Sequence, residues 1–308
     1  MEHKIVHFLY CPFTGLGLYG GYRGKRWLRN RIKIFKQFVI PSLRAQTNQN
    51  FVLWISWRHE DRTNPMVKEL YKWLMENYEQ FSHAKFVFTY GGVCFWDDKY
   101  CDQIAHNRLV DSVHASMPYL FDSIQGAEHV LMTIQPSDDC YHKEMVEEVQ
   151  SSFAGDDSIQ AVAYKRGYVM DYKTKTIAEW NPDTNPPFYT IKFDRETFVE
   201  PLKHVAYAGI KSHEYLPDVL KVLPLFERRF LVGTHGENIS TVFNHPFRGY
   251  IMPKEVLKDF GLYFVEPLKL SVSLRKILMR KLPHKWQRKL RYLFGERFSA
   301  RIYDFIRS

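Results

Sequence analysis

The chain has 308 residues, 45% of them hydrophobic and 16% aromatic, with 43 Lys/Arg against 34 Asp/Glu and a net charge of +9. That hydrophobic content can build a large core and excludes a disordered chain. The four cysteines, Cys11, Cys94, Cys101 and Cys140, form no CxxC pair and sit beside no histidine cluster, which points to buried free thiols in a reducing compartment.

The first residues carry charges and histidine within a short apolar run, unlike a secretory signal. No run nears the roughly 20 apolar residues that cross a bilayer. A cytoplasmic protein is therefore expected. Lys4–Tyr10 reads as a first strand. Lys25–Arg44 places Trp27, Leu28, Ile32, Phe35, Phe38 and Val39 at helical spacing, interrupted at Pro41. Phe51–Trp57 reads as a strand, Pro65–Phe81 as a helix opened by proline, and Lys85–Tyr90 as a strand stopped by Gly91 and Gly92. Asp102–Phe121 reads as a long helix. His129–Gln135 is apolar nearly throughout, as a strand buried on both faces would be. Lys143–Phe153 reads as a helix and Ile159–Tyr164 as a fifth strand. Beyond residue 165 the sequence turns irregular and rich in Tyr, Pro and Gly, as loops on the acceptor side of a site are. This alternation predicts an α/β fold, a Rossmann-type, mostly parallel sheet flanked by helices. Ligands of such sheets bind beyond the carboxyl ends of the strands.

The charge is concentrated. Ser271–Ser308 holds 11 Lys/Arg against Glu296 and Asp304, which accounts for the whole net charge of +9. The expected division is a neutral domain over 1–268 and a basic helical tail over 269–308. The tail interleaves its cations with Trp286, Tyr292, Phe294, Phe298 and Phe305, a pattern suited to peripheral contact with the inner face of a membrane. A helical cap with a solvated basic face fits the same pattern. Nucleic-acid binding would leave the neutral α/β body unexplained.

Several groups could carry chemistry. Ser137, Asp138 and Asp139 directly follow the fourth strand, at the ligand-binding edge. Adjacent carboxylates repel unless a cation or donor offsets them. Mn²⁺ or Mg²⁺ bridging a diphosphate would do so, as hard ions prefer oxygen ligands. Either acid could equally cap the helix near Lys143. Gly15, Gly17 and Gly20 match GxGxxG formally. No acid follows about 20 residues later, as a dinucleotide site needs. A loop over donor phosphates, with Arg23, Lys25, Arg26 or Arg31 supplying charge, accounts for the glycines better. Arg108 could reach a diphosphate or be an ordinary helix-surface arginine. His235 could complete a metal site begun by Asp138 and Asp139, ahead of His142 and His245.

A family resemblance is carried by Arg31 to Phe35, Ile40 to Leu43, Gln46 and Thr47, and Phe51 to Ile55. It continues through Ser137 to Asp139, Gly167 and Tyr168, Pro187 to Thr190, and His235 to Ser240. In order and spacing these segments resemble the putative rhamnosyltransferase family, which is similar to GT-A glycosyltransferases. The resemblance implies a GT-A-like fold, a nucleotide-sugar donor (dTDP-rhamnose by the family's name), a divalent metal and an inverting transfer. The acceptor would be a glycan or a lipid-linked sugar. An acid after the second strand, Glu60 or Asp61, would contact the base or ribose. Inversion needs a carboxylate to deprotonate the acceptor hydroxyl, and Glu214, then Asp218, stand where an acceptor loop is expected. One departure stands out. The related pattern begins with an acid where this chain has Pro136. Metal binding is therefore in question, and a non-catalytic nucleotide-sugar or glycan-binding protein is the alternative reading.

Overall fold

The computed structural model describes residues 5–13, 21–91, 105–200, 213–235, 238, 243, 254–263, 268 and 270, with the side chains of 21–23, 105–111, 254 and 255 excepted. Residues 271–308 of the expected tail, His245 and the glycines of the GxGxxG match lie outside the described residues.

The first four strands and their helices follow the predicted order. They are β1 (Ile5–Pro12), β2 (Val52–Ser56), β3 (Lys85–Thr89) and β4 (His129–Ile134). Between them run α1 (Gly21–Ile34), a π-helical turn (Phe35–Val39), α2 (Ile40–Arg44), α3 (Pro65–Glu76) and α4 (Ala105–Ile124). β3, β2, β1 and β4 lie side by side, all parallel. The chain runs outward from β1 through β2 to β3, then returns to β1's other side as β4. The boundary between β1 and β4 is thus a topological switch point, where the connecting loops diverge and leave a crevice.

Alternation along each strand divides the core. Leu9, Cys11, Leu53, Ile55 and Leu131 face α1–α3 and α5 (Met145–Gly155). Phe8, Tyr10, Trp54, Val130 and Met132 face α4 and α6 (Arg195–Val199). Both faces of β4 are buried, as its apolar run required.

Two expectations need correction. The helix at Lys25–Arg44 does not break at Pro41. Proline lacks an N–H and crowds the carbonyl four residues back, and here the helix widens ahead of it, with Ile40 N–H bonding Phe35 O. The chain thus stays helical from Gly21 to Arg44 through the π turn. Among the described residues, the stretch beyond residue 165 is largely strand rather than irregular loop. It supplies the rest of β6 (Ala161–Asp171), then β7 (Thr176–Trp180), β8 (Tyr189–Asp194) and β9 (Val222–Thr234), while β5 (Cys140–Tyr141) pairs with β9. β8 pairs antiparallel with both β4 and β6, and β6 pairs parallel with β9. The parallel expectation therefore holds for the first four strands and for β6 with β9, while antiparallel pairs through β8 join the two parts. Cys11 and Cys140 are buried and free, as expected.

Candidate functional site

At β4's end the chain turns through Gln135–Asp139 into β5. Gln135 N–H donates to Tyr10 O at 2.8 Å, which ties the turn to the switch point. Gln135 Nε2 donates to the carbonyls of Pro136 (2.8 Å) and Asp139 (2.9 Å), closing the turn on itself.

Asp138 Oδ2 is paired with Arg31 Nη1 and lies 3.1 Å from His235 Nε2. Arg31 comes from the last turn of α1, and His235 follows directly on β9. Three distant segments therefore meet at one oxygen. Arg31 is only 6% exposed and His235 1%. Burial alone would push the Asp138 carboxyl up, but Arg31 and the His235 hydrogen bond outweigh it and hold it below the usual carboxylate range. An ionised carboxylate only accepts, so His235 carries a proton on Nε2. Asn238 fixes His235's backbone, with its Oδ1 accepting from His235 N–H at 2.7 Å and its Nδ2 donating to Gly233 O at 2.6 Å.

Asp139 turns inward. Its Oδ1 accepts from Gly233 N–H at 2.8 Å. Burial and the adjacent Asp138 charge push its carboxyl well above the usual range, only partly offset by Gly233. The pair thus carries its negative charge on Asp138. A Cβ on Gly233 would meet the Tyr172 ring at 2.2 Å, so only glycine lets this N–H reach Asp139 there.

Beneath the turn lies a small apolar cluster that includes Phe38, Tyr172, Leu231 and Phe260. Tyr172 OH donates to Asp138 O at 2.8 Å. Tyr172 and Gly233 have no charge or motif to mark them in the sequence. Their only signal is their position beside the ends of β6 and β9, in stretches whose composition predicts loop.

The remaining expected residues are placed as follows. Ser137 is buried within the turn. Asp61 is buried in a short 3₁₀ turn, where Arg58 holds both its oxygens at 3.0 and 3.3 Å, while Glu60 is exposed. Arg108 lies on α4, and its side chain is outside the described residues. Glu214 is exposed and accepts from Thr184 Oγ1 at 3.3 Å, and Asp218 is exposed in the helix Leu216–Val219. Neither takes part in the Arg31–Asp138–His235 cluster. His142 is bonded by Arg229 Nη1 at 2.8 Å, and burial with that cation lowers its pKa to about 4. Gln46 and Thr47 serve packing: Gln46 Nε2 donates to His142 O at 2.7 Å and Thr47 N–H to Lys143 O at 2.7 Å, locking α2 to α5.

These residues do not form a metal site in this arrangement. A hard divalent ion needs several free oxygen ligands. Here Asp138 Oδ2 is engaged by Arg31 and His235, Asp139 Oδ1 by Gly233, and Pro136 offers no carboxylate. Among the described residues, no three His, Cys, Asp or Glu side chains are grouped to hold an ion. Of the three expected ligands, His235 meets Asp138, while Asp139 turns to Gly233 instead.

Two further polar atoms at the strand ends are telling. Among the described residues, Trp57 Nε1 and Gln135 Oε1 are buried without a hydrogen-bond partner. Such atoms cost roughly 1–3 kcal/mol each, and others occur away from the strand ends, on Arg44, Gln49 and Arg195.

A sequence model of the family described as putative rhamnosyl transferase matches residues 22–82. The resemblance is borne out over that segment. It runs from α1 past α3 and includes Arg31, Pro41 and Gln46. No curated protein sequence matches the chain. Among solved structures, the chain is similar to TarS 1–349 from S. aureus, with 13% identity, a TM-score of 0.38, and 74% of this chain and 60% of that one covered. It is similar to the mannosyltransferase PcManGT from Pyrobaculum calidifontis in complex with GDP-Man and Mn²⁺, with 9% identity, a TM-score of 0.40, and 78% and 59% covered. Mouse xyloside xylosyltransferase 1 follows at 11% identity and a TM-score of 0.32, with 70% and 74% covered. The chain thus spans about three-fifths of the first two.

Among the described residues, no helix is long and apolar enough to cross a membrane.

Proposed function

We propose that this chain is a glycosyltransferase that moves a sugar from a nucleotide-sugar donor to a glycan or lipid-linked acceptor. One observation carries the reading. A buried, ionised Asp138 stands at the switch point between β1 and β4, bonded to a buried arginine and a histidine from distant segments. A structural ion pair would gain little from such a position, since burying two charges costs about what their attraction returns. A site that binds a charged diphosphate gains a great deal. The family resemblance supports sugar transfer and favours rhamnose, with dTDP-rhamnose as first donor to try. Trp57 Nε1 and Gln135 Oε1 are then the donor and acceptor that a bound ligand satisfies.

In this reading the acceptor hydroxyl attacks the anomeric carbon as the bond from that carbon to the diphosphate oxygen breaks. The nucleoside diphosphate leaves with the bonding electrons, and configuration inverts. The hydroxyl proton passes to a carboxylate, for which Glu214 is the first candidate and Asp218 the second. The basic segment 271–308 would hold the protein at an anionic membrane bearing a lipid-linked acceptor.

The test is nucleoside diphosphate release from a donor panel led by dTDP-rhamnose. Release that disappears in Asp138→Ala, with circular dichroism unchanged, supports the reading. Retained nucleotide binding without turnover of any donor favours the alternative, a binding protein, which the missing acid at Pro136 motivates.

A further inference from the structure

We propose that Arg31 is the resident cation of this site. Its guanidinium, held on Asp138 beside His235, takes the position a divalent metal would need and offers its remaining N–H donors to a ligand's diphosphate. The phosphate role rests on the reading above; the exclusion of metal does not.

Four observations carry the proposal. First, Arg31 is fixed: it is 6% exposed, sits on the last turn of α1, and its guanidinium lies 5.1 Å from the Trp27 ring centre. Second, the turn around Asp138 is anchored, its carbonyl held by Tyr172 OH and the Asp139 carboxyl by Gly233 N–H. Third, Asp139 turns inward to Gly233 N–H, so Asp138 alone presents a charge to Arg31 and His235. That charge is matched by one guanidinium. A divalent ion would have to displace Arg31 and leave it buried without its counter-charge, which low-dielectric surroundings penalise heavily. Fourth, the chain carries Pro136 where a further acid would strengthen a metal site.

Arginine suits the substitution chemically. A guanidinium has five N–H donors in a rigid fork, so it can bond a carboxylate and phosphate oxygens together.

The test needs no donor substrate. The full chain is titrated with Mn²⁺ and free ion followed by electron paramagnetic resonance. Wild type is expected to bind none at the Asp138 site at millimolar ion, and Arg31→Lys likewise. Arg31→Ala frees the Asp138 oxygen that Arg31 engages, so binding should tighten about tenfold or more. Adding Asp138→Asn to that variant should abolish the gain. Micromolar Mn²⁺ binding by wild type that Asp138→Asn removes overturns the proposal. So does a folded Arg31→Ala that gains nothing. Should that variant fail to fold, the wild-type titration with Asp138→Asn still decides. Failure of every donor in the release assay would overturn the transferase reading and leave this result standing.

Discussion

Phe38 stacks on Tyr172 with ring centres 3.7 Å apart and planes inclined by 11°. Phe38 belongs to the π turn ahead of Pro41, and Tyr172 OH reaches Asp138 O at 2.8 Å. A helical irregularity set by one proline is thus two contacts from the site's charged acid. Tyr172→Phe keeps the stack and loses the hydrogen bond. It should cost about 1 kcal/mol of stability and lower donor turnover more than its stability loss explains. Phe38→Ala removes the platform itself and should cost roughly 3–5 kcal/mol. Denaturant unfolding of the two variants checks the order.

The two adjacent acids should respond unequally to neutralisation. Asp138→Asn strips the counter-charge from buried Arg31 and should cost about 3–5 kcal/mol. Asp139→Asn replaces a carboxyl already held neutral and keeps an acceptor for Gly233 N–H, so it should stay within about 1 kcal/mol of wild type. Equal losses in a thermal melt would contradict this assignment of the charge.

Gly233→Ala drives a methyl group into the Tyr172 ring. Over-packing of this kind costs roughly 1–3 kcal/mol. It should also break the Gly233–Asp139 hydrogen bond. Melting temperature and donor turnover should fall together, and an unchanged melt would show that the turn has room the structure does not display.

His7 gives the fold an acid limit. It is buried, bonded through Nε2 to Thr133 Oγ1 at 2.7 Å, and burial lowers its pKa from 6.5 to about 3. The unfolded chain therefore takes up a proton as pH falls through 6.5, and the folded chain does not until about 3. Protons favour the unfolded state throughout that window, so stability is full above it and falls as pH drops, by up to about 1.4 kcal/mol per pH unit. His7→Gln should flatten this part of the profile, read as unfolding free energy between pH 7 and pH 4. An unchanged slope would assign the acid loss to other groups.

Much of this architecture is legible in the residues. The apolar run of β4, the helical spacing of α1 and α3 and the proline opening α3 each act locally, through side-chain period and backbone propensity. Asp138, Arg31 and His235 could be singled out because charge and histidine are conspicuous. Tyr172 and Gly233 could not, because a tyrosine and a glycine look alike in a loop and in a site. β8 and β9 were hidden by composition: Pro224, Glu227, Arg228 and Arg229 interrupt the strand signal of β9, and only pairing with β6 over its length makes it a strand.

The sequence by itself determined an α/β chain, with two acids after a buried strand and a basic terminal segment. These follow from short-range pattern and composition. Which acid carries the charge, and what offsets it, was decided only by the tertiary structure. Asp138 and Asp139 are adjacent in the chain, yet one faces a guanidinium from residue 31 and the other a backbone N–H from residue 233. Electrostatic energy depends on distance and burial in three dimensions, and no spacing along the chain encodes either.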